Sequence, residues 1–283
     1  SLTKINYFRV RDLTNKTSVK YRPERDLNIG FGVAYKFFSF DITMGLGLNK
    51  NSNLGNQRSF DFQGRIFSSK QYISATMQYY QGYSLSDVFG VTVIPNDTSV
   101  NREDIRTTNF MLQYMYAFNY TKFSLKAPFV FNERQKKSAG SVIAGVTFSI
   151  YSLTADSSIV PIELSPYLNP ITHLNSLNVF NIGARAGYMY TFVFAKHFFA
   201  TGSLIPGLVL NYGDYALESG YELPTGFNFS LNTMNSVGYN GTRFFTGISF
   251  ISDIFSVKIA KKQGFTIGSG KINGFVGYRF GKK

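Results

Sequence analysis

The chain of 283 residues has no cysteine and no tryptophan, and only 16% of its residues are charged. The absence of cysteine excludes disulfide bonds, thiol catalysis and metal sites with cysteine ligands. No run of about 18 consecutive apolar residues occurs, so we expect no segment to cross a bilayer as a helix. Soluble proteins usually have about a quarter of their residues charged, and this chain therefore has an unusually small charged surface.

Aromatic residues are abundant instead, with 29 phenylalanines and 19 tyrosines, while the mean hydropathy is only −0.07. This combination is typical of a transmembrane β-barrel, because apolar and polar residues alternate along its strands. The formal net charge of +13 is best explained by basic residues in solvated loops and chain ends, and the alternative is contact with an anionic surface such as lipopolysaccharide. No nucleic-acid partner is expected, because no basic helix or RNA-binding motif accompanies the charge. The first residues lack the pattern of a signal peptide, and we expect any such peptide to have been removed.

Alternation with a period of two recurs along most of the chain. In residues 38–48, every even position is large and apolar, and every odd position is small or polar. The same pattern is found at 27–36, 59–67, 107–118, 122–131, 142–153, 179–193, 197–212, 225–239, 243–259 and 271–280. It predicts β-strands with one apolar and one polar face. Many of these segments reach the length of about 9–11 residues that a tilted membrane strand needs.

The predicted connections alternate between short and long. Short ones are expected at 36–38, 68–70, 119–122, 194–197 and 240–242, and long ones at 11–26, 49–57, 84–106, 166–178 and 213–224. This predicts one β-barrel domain over residues 1–283 in the outer membrane of a Gram-negative bacterium, with short periplasmic turns and long extracellular loops. The strand number is predicted as fourteen, with 132–139 as an outer loop, 155–158 as an inner turn and 159–164 as a short strand; twelve is the alternative.

Charged residues on the polar strand faces are predicted to line the lumen. They are Asp41, Asp61, Arg65, Lys122, Lys126, Arg185, Arg243 and Arg279. In a wide barrel they would bias a water-filled pore towards anions, whereas in a narrow barrel they would form ion pairs that fill it. The narrow or plugged interior is favoured. Residues 132–141 are predicted to fold inward as part of a plug, with these candidate residues: Arg134, Lys136, Lys137 and Ser138.

Catalytic chemistry is not predicted. Only two histidines are present, His173 and His197, and neither has the nucleophile and orienting group of a catalytic triad in an evident pattern. No metal-ligand spacing or cofactor fingerprint occurs. We therefore predict a non-enzymatic structural or accessory subunit of a cell-envelope assembly, in contact with outer-membrane lipids, lipopolysaccharide and other envelope proteins. The alternatives are a small-solute channel that prefers anions and a lipid-modifying enzyme that uses one of the histidines.

Several segments resemble an uncharacterised family of outer-membrane β-barrels from the Bacteroidota, a domain of unknown function. The most distinctive is "QKKSAGS" at 135–141. The others are "VKYRPERDLNIGFGVAYKF" at 19–37, "ADSSIVP" at 155–161, "GYMYTFVFAKHFFATGSLIPGL" at 187–208, "GYNGTRFFTGISF" at 238–250 and "FVGYRF" at 275–280. The resemblance implies a cell-envelope barrel, without a known activity or known functional residues.

Overall fold

A computed structural model describes residues 3–23, 28–35, 38–45, 58–91, 101–130, 133–217, 220–221 and 225–279. Within them, fifteen strand segments belong to one sheet. The segments are β1 (Thr3–Lys4), β2 (Tyr7–Asp12), β3 (Thr17–Pro23), β4 (Asn28–Tyr35), β5 (Phe38–Gly45), β6 (Arg58–Phe67), β7 (Gln71–Phe89), β8 (Asn101–Ala117), β9 (Ala139–Thr154), β10 (Ser176–Phe194), β11 (Phe198–Leu217), β12 (Gly220–Tyr221), β13 (Gly226–Asn240), β14 (Phe244–Lys258) and β15 (Gln263–Tyr278).

Helical structure in these residues is limited to the four residues of α1 (Ala127–Val130) and to 3-10 turns at Ile162–Tyr167 and Pro170–Thr172. None of these helices has the length and apolar character that a membrane-spanning helix requires.

The sheet is antiparallel and closes into a ring. Strand β2 pairs with β15 on one side and with β3 on the other, and β3 pairs with the second half of β7. From β7 the neighbours run through β8, β9, β10, β11, β13 and β14 back to β15. The prediction of an all-β protein built on one closed antiparallel sheet is therefore confirmed.

Strand β7 changes its partner halfway along its length. Residues 72–81 pair with β6, and residues 83–89 pair with β3. The change occurs at Gly82, where the register with β8 shifts and φ is +88°. Positive φ at a bulge is readily adopted by glycine, which has no Cβ. Strands β4, β5 and β6 are therefore attached to the sheet beside the first half of β7 only.

The two ends of the ring have different connections. The end that we call the short-turn end has the connections 68–70, 118–138, 195–197 and 241–243. The opposite end, the long-loop end, includes the connections 13–16, 155–175 and 259–262. The predicted long connection at 11–26 is wrong, because β2 and β3 form a hairpin through a four-residue turn.

The predicted strand count is also wrong. In the part of the chain that the structure describes, the sheet has fifteen segments rather than fourteen or twelve strands, and two predicted strands, 122–131 and 159–164, are absent from it. Residues 122–130 form turns and α1, and residues 159–164 form a bend and the start of a 3-10 helix. Both segments contain a proline, Pro128 or Pro161, which cannot donate a hydrogen bond to a sheet.

Losing these two strands reverses the predicted position of two connections. Residues 133–138 of the expected outer loop at 132–139 belong to the short-turn end, and residues 155–158, expected as an inner turn, belong to the long-loop end. Each segment is part of a connection that carries buried apolar side chains.

Side chains alternate between the interior and the outer surface of the ring. In β10, Leu177, Val179 and Asn181 are buried, whereas Phe180 and Ile182 are exposed. The outward positions in the short-turn half are apolar on most strands, and exposed examples include Ile73, Leu112, Val146, Tyr188, Leu204, Val237 and Ile248. The inward positions of this half are largely polar, with Gln63, Ser74, Gln113, Thr147, Thr191 and Ser249 all buried.

The chemistry of the two faces is inverted near the long-loop end. In β3, Val19 and Tyr21 are completely buried, while Arg22 is exposed on the other face. In β2, Phe8 and Val10 are buried, and Arg11 is exposed. This part of the ring therefore has an apolar interior and a charged outer surface, as a water-exposed sheet does.

Candidate functional site

The connection between β8 and β9, at the short-turn end, packs into the interior of the ring. Its described residues, 118–130 and 133–138, are called the first plug. The side chains of Phe123 and Leu125 are buried against inward-facing residues of the wall, among them Met189, Ile205 and Met234. The alternation that predicted a strand at 122–131 thus arises from a segment that turns its apolar side chains into the ring.

Polar contacts fix the first plug to the wall. The hydroxyl of Ser236 donates to the carbonyl of Pro128 at 2.8 Å, and the amide of Asn240 donates to the carbonyl of Glu133 at 3.1 Å. The carboxylate of Glu133 accepts hydrogen bonds from Ser124 at 2.8 Å and from Ser69 at 3.1 Å. Lys126 pairs with the same carboxylate at 2.8 Å. Glu133 therefore joins the plug to itself and to the turn between β6 and β7.

A second segment, residues 155–175, packs into the interior at the long-loop end and is called the second plug. Its apolar side chains, which are Ile159, Val160, Leu164, Leu168 and Leu174, are buried in one cluster with the wall residues of that end. The hydroxyl of Tyr21 donates to the carbonyl of Ile159 at 2.8 Å, and the guanidinium of Arg102 donates to the carbonyl of Ser158 at 2.7 Å. This plug is tied to β3 and β8, the two strands that flank the second half of β7 in the ring.

Between the plugs, a polar cluster bridges the interior from wall to wall. One carboxylate oxygen of Asp253 accepts from Arg185 Nη1 at 2.6 Å, from Gln113 Nε2 at 2.6 Å and from Asn232 Nδ2 at 3.0 Å. These residues belong to β14, β10, β8 and β13, and β8 is separated from β14 by four strands of the ring. The Arg185 and Asp253 side chains are 1% and 8% exposed.

Gly207 makes room for Arg185 on the wall. A methyl group at this position would lie 2.6 Å from Cγ of Arg185 and 2.8 Å from Oγ of Ser230. Since carbon atoms in contact are normally about 3.5–4.0 Å apart, any larger side chain here would displace the arginine from Asp253.

A second polar cluster surrounds Asp61. Its carboxylate accepts from Gln78 Nε2 at 2.8 Å and from the hydroxyl of Tyr80 at 2.6 Å, and it pairs with Lys4 at 3.2 Å. Gln78 in turn accepts from Asn109 at 3.0 Å. Strands β6, β7, β8 and β1 are thereby linked inside the ring.

The predicted lumen residues are distributed over three kinds of position. Asp61 and Arg185 are buried inside, and the half-buried Arg65 donates to Gln63. Lys126 belongs to the first plug, and Lys122, Arg243 and Arg279 lie in connections or beyond the last strand. The backbone of Asp41 is part of β5, and its side chain lies outside the described residues.

The predicted plug residues lie at the edge of the first plug. Arg134 is half-buried, whereas Lys136, Lys137 and Ser138 are exposed at the short-turn end. The guanidinium of Arg279 donates to the carbonyl of Gly241 at 2.6 Å. Burial and the nearby charge of Arg134 lower the pKa of Arg279, which indicates how closely the positive charges of this end are grouped.

The two histidines are separated along the length of the ring. His173 follows the 3-10 turn Pro170–Thr172 in the second plug, and its backbone N–H donates to the carbonyl of Pro170 at 2.9 Å. His197 lies in the turn between β10 and β11 and stacks on Tyr239, with 5.6 Å between ring centroids. Among the described residues, no group of three or more acidic or histidine side chains is placed to hold a metal ion.

Several interior residues were not predicted from the sequence. Asp253, Gln113, Asn232 and Lys4 all contribute to the two polar clusters. For Asp253 a signal exists, because it is a lone acidic residue at an odd position of "FISDIFSV", where the flanking odd positions are also buried. Its partners lie up to 140 residues away along the chain, and no local pattern indicates them.

Acidification is expected to loosen the first plug. Burial alone would raise the pKa of Glu133, but hydrogen bonds from Lys126 and Ser124 outweigh it and lower the pKa below the ordinary value of 4.5. Since the pKa is lower in the folded state, the carboxylate stabilises the plug above the ordinary value, and this contribution is lost as the pH falls through the folded pKa. Hydrogen exchange of residues 123–130, corrected for the intrinsic rate, should accelerate in acid.

The control for this prediction is Glu133→Gln, which retains the side-chain size and cannot titrate. Its plug should exchange faster than the wild-type plug at neutral pH and show no further acceleration in acid. Equal pH dependence in the two proteins would mean that Glu133 does not hold the plug.

These observations define the chain as an all-β protein in which one antiparallel sheet closes into a ring, with apolar and polar side chains buried inside it. Residues 1–280 match a family described as "Domain of unknown function (DUF4421)", and the chain belongs to this family. The predicted membership of a domain family of unknown function is thereby confirmed, while the bacterial phylum and the outer-membrane location stay predictions. No curated protein matches the sequence.

Proposed function

We propose that this protein is a non-enzymatic outer-membrane β-barrel with a closed lumen, and that it acts as a structural or accessory subunit of a cell-envelope assembly in a Gram-negative bacterium. The observation that carries the proposal is the closed interior. Two packed plugs occupy the ends, and hydrogen bonds to Asp253 join opposite walls between them. Such an interior supports a role in holding partners rather than in passing solutes.

The outer surface supports the membrane location. Large apolar side chains are exposed around the short-turn half, with Leu204 60% and Leu208 63% exposed. Water-soluble monomers rarely expose contiguous apolar patches of more than a few hundred Å², whereas outer-membrane barrels have an apolar band about 25 Å tall. Exposed aromatic residues lie along the margin of this surface at the short-turn end, as in the aromatic girdle of such barrels. They are Phe118, Tyr190, Phe192, Phe194, Phe198, Phe244 and Tyr278.

The long-loop end offers a surface for partners. Here Arg9, Arg11 and Arg22 lie on the outer side of β2 and β3, and the second plug exposes Ile162 and Glu163. In the proposed orientation this end faces the cell exterior, where lipopolysaccharide phosphates and other envelope proteins are available. Charged, exposed connections on a rigid scaffold are frequent binding positions.

The closed-lumen function is tested by planar-bilayer recording of the purified protein. We expect no conductance steps above the lipid baseline, both for the wild type and for a variant in which residues 121–136 are replaced by a short Gly-Ser turn. The shortened variant should stay closed because the second plug is independent of the first. Migration that changes on heating in a mildly denaturing gel verifies that both proteins contain a folded barrel.

Three outcomes would contradict the proposal. Reproducible conductance steps of the wild type would rule out a closed lumen, and recovery only as a lone monomer after mild detergent extraction would rule out an accessory role. A lack of detergent dependence, with solubility in buffer alone, would rule out the membrane location.

A second candidate function is an anion-preferring channel that opens by displacement of the plugs. The observation in its favour is the charge of the interior, where Lys4, Arg185 and Lys271 lie within the ring with the acidic residues Asp61 and Asp253. Anion-selective steps in the recordings above would identify this function, since rings of basic side chains favour anions.

A further inference from the structure

The short-turn end carries almost exclusively positive charge. Its described charged residues are Lys70, Lys122, Lys126, Glu133, Arg134, Lys136, Lys137, Lys196, Arg243 and Arg279. The single carboxylate among them, Glu133, is already bound to Lys126 inside the first plug. At the long-loop end, by contrast, acidic residues accompany the basic ones, and two of the basic residues form the pairs Arg9–Asp87 and Arg102–Asp104.

The exposed cations of this end alternate with outward aromatic rings. Lys196 lies in the turn between Phe194 and Phe198, whose rings are stacked with centroids 5.7 Å apart. Arg243 directly precedes the exposed Phe244, and Nζ of Lys70 lies 5.6 Å from the ring centroid of Tyr120. Each cation thus sits where the apolar outer surface ends.

The first plug contributes two further exposed cations, Lys136 and Lys137, to the short-turn end. The hydroxyl of Ser138 accepts from the backbone N–H of Val193 at 2.9 Å and donates to its carbonyl at 3.3 Å. Val193 is flanked by the exposed rings of Phe192 and Phe194. Because Lys136 and Lys137 immediately precede Ser138 and are exposed, they lie close to these rings.

We infer that this basic rim, defined as Lys136, Lys137, Lys196 and Arg243, binds the headgroups of anionic phospholipids in the leaflet at the short-turn end. The inference rests on the proposed membrane location. Aromatic rings of a barrel lie at the headgroup level, and basic residues just beyond them attract anionic lipid phosphates. Lipid is favoured over an acidic protein because Lys196 and Arg243 directly adjoin outward aromatic rings at the margin of the apolar surface.

The test is native mass spectrometry of the full chain in detergent, after incubation with equal amounts of dioleoyl-phosphatidylglycerol and dioleoyl-phosphatidylcholine. We expect the wild type to bind the anionic lipid with about tenfold preference, on the scale of attraction found for a few basic residues at a membrane surface. Changing all four rim residues to glutamine should reduce this preference to about onefold, and high salt should weaken it in the wild type.

A matched control changes the same number and types of residue at the other end: Arg11→Gln, Lys258→Gln, Lys261→Gln and Lys262→Gln, all at exposed positions. This variant should keep the preference of the wild type. Equal loss in both variants would overturn the rim as the site, because net charge alone would then explain the preference.

The outcomes separate this inference from the proposed function. A folded barrel that binds both lipids equally would overturn the rim and leave the membrane location intact. A protein that retains neither lipid and needs no detergent would contradict the membrane location itself. Stronger binding of polyglutamate than of phosphatidylglycerol would make an acidic protein the occupant and overturn the lipid assignment.

Discussion

Replacing Asp253 by alanine is expected to lower the free energy of unfolding by about 3–5 kcal/mol, which is the usual cost of removing one partner of a buried ion pair. Arg185 would keep its charge in a nearly water-free position, 1% exposed. Gln113 and Asn232 would also lose their common acceptor. Urea unfolding in one detergent, followed by tyrosine fluorescence, measures the difference.

Two variants give this prediction its controls. Asp87→Ala removes the same residue type from an ion pair with arginine, but the Asp87 side chain is 53% exposed. Exposed pairs contribute about 0.2–1 kcal/mol, so this variant should be only slightly destabilised. The double variant Arg185→Met with Asp253→Leu should recover most of the loss, because apolar side chains of similar size can replace a buried pair.

The measured destabilisation by Asp253→Ala also tests whether the hydrogen bonds of Asp253 join opposite walls of the ring. If Asp253→Ala and Asp87→Ala were equally mild, the carboxylate would not join the walls of the ring, and the closed lumen would depend on the plugs alone. Added stability in the double variant would show that the polar cluster is kept at an energetic cost, as expected of a group with a functional role.

The sheet itself was largely predictable from the sequence. The predicted strands at 225–239 and 243–259 agree within a residue or so with β13 (Gly226–Asn240) and β14 (Phe244–Lys258). Their alternation is long and regular, because one face of each strand meets a different environment from the other. Antiparallel pairing of neighbours then follows from the short turns that join them.

The plugs were not predictable in the same way. Apolar residues at 123, 125 and 127 have the period of a strand, and a period does not say whether the apolar side faces outward or into the ring. Pro128, inside the predicted strand, was the local sign against a sheet position. For the second plug, the burial of Ile159 and Leu164 depends on wall residues such as Phe8 and Phe265, which only the closed fold brings near.

The inversion of the two faces at the long-loop end explains the missed hairpin. Residues 17–23 alternate regularly, but their outward positions include Lys20 and Arg22, so they resemble a strand in water rather than in lipid. A search for membrane strands assigns such a segment to a loop. With the proposed membrane location, the same inversion would leave β2 and β3 outside the membrane, because their outer surface is charged.

Replacing Leu204 by arginine is expected to destabilise the protein in a bilayer by about 2–4 kcal/mol, the cost of a basic side chain near the midplane on the lipid face of a barrel. Leu204 points outward from β11, opposite the exposed Tyr188 of β10. If this surface faced water, the same change would alter stability by no more than about 0.5 kcal/mol. Urea unfolding in phosphatidylcholine vesicles distinguishes the two cases.

Leu13→Arg provides a matched control, because it is the same substitution at a residue of similar exposure, 66% against 60%. Leu13 lies in the hairpin turn between β2 and β3 at the long-loop end, where the surrounding surface is charged. We expect this variant to unfold as the wild type does. A large loss in Leu204→Arg together with no loss in Leu13→Arg would locate the lipid-facing surface at the short-turn half, because only lipid makes two leucines of equal exposure differ in their tolerance of a charge. Equal tolerance at both positions would mean that the apolar belt faces water, and the membrane location would have to be abandoned.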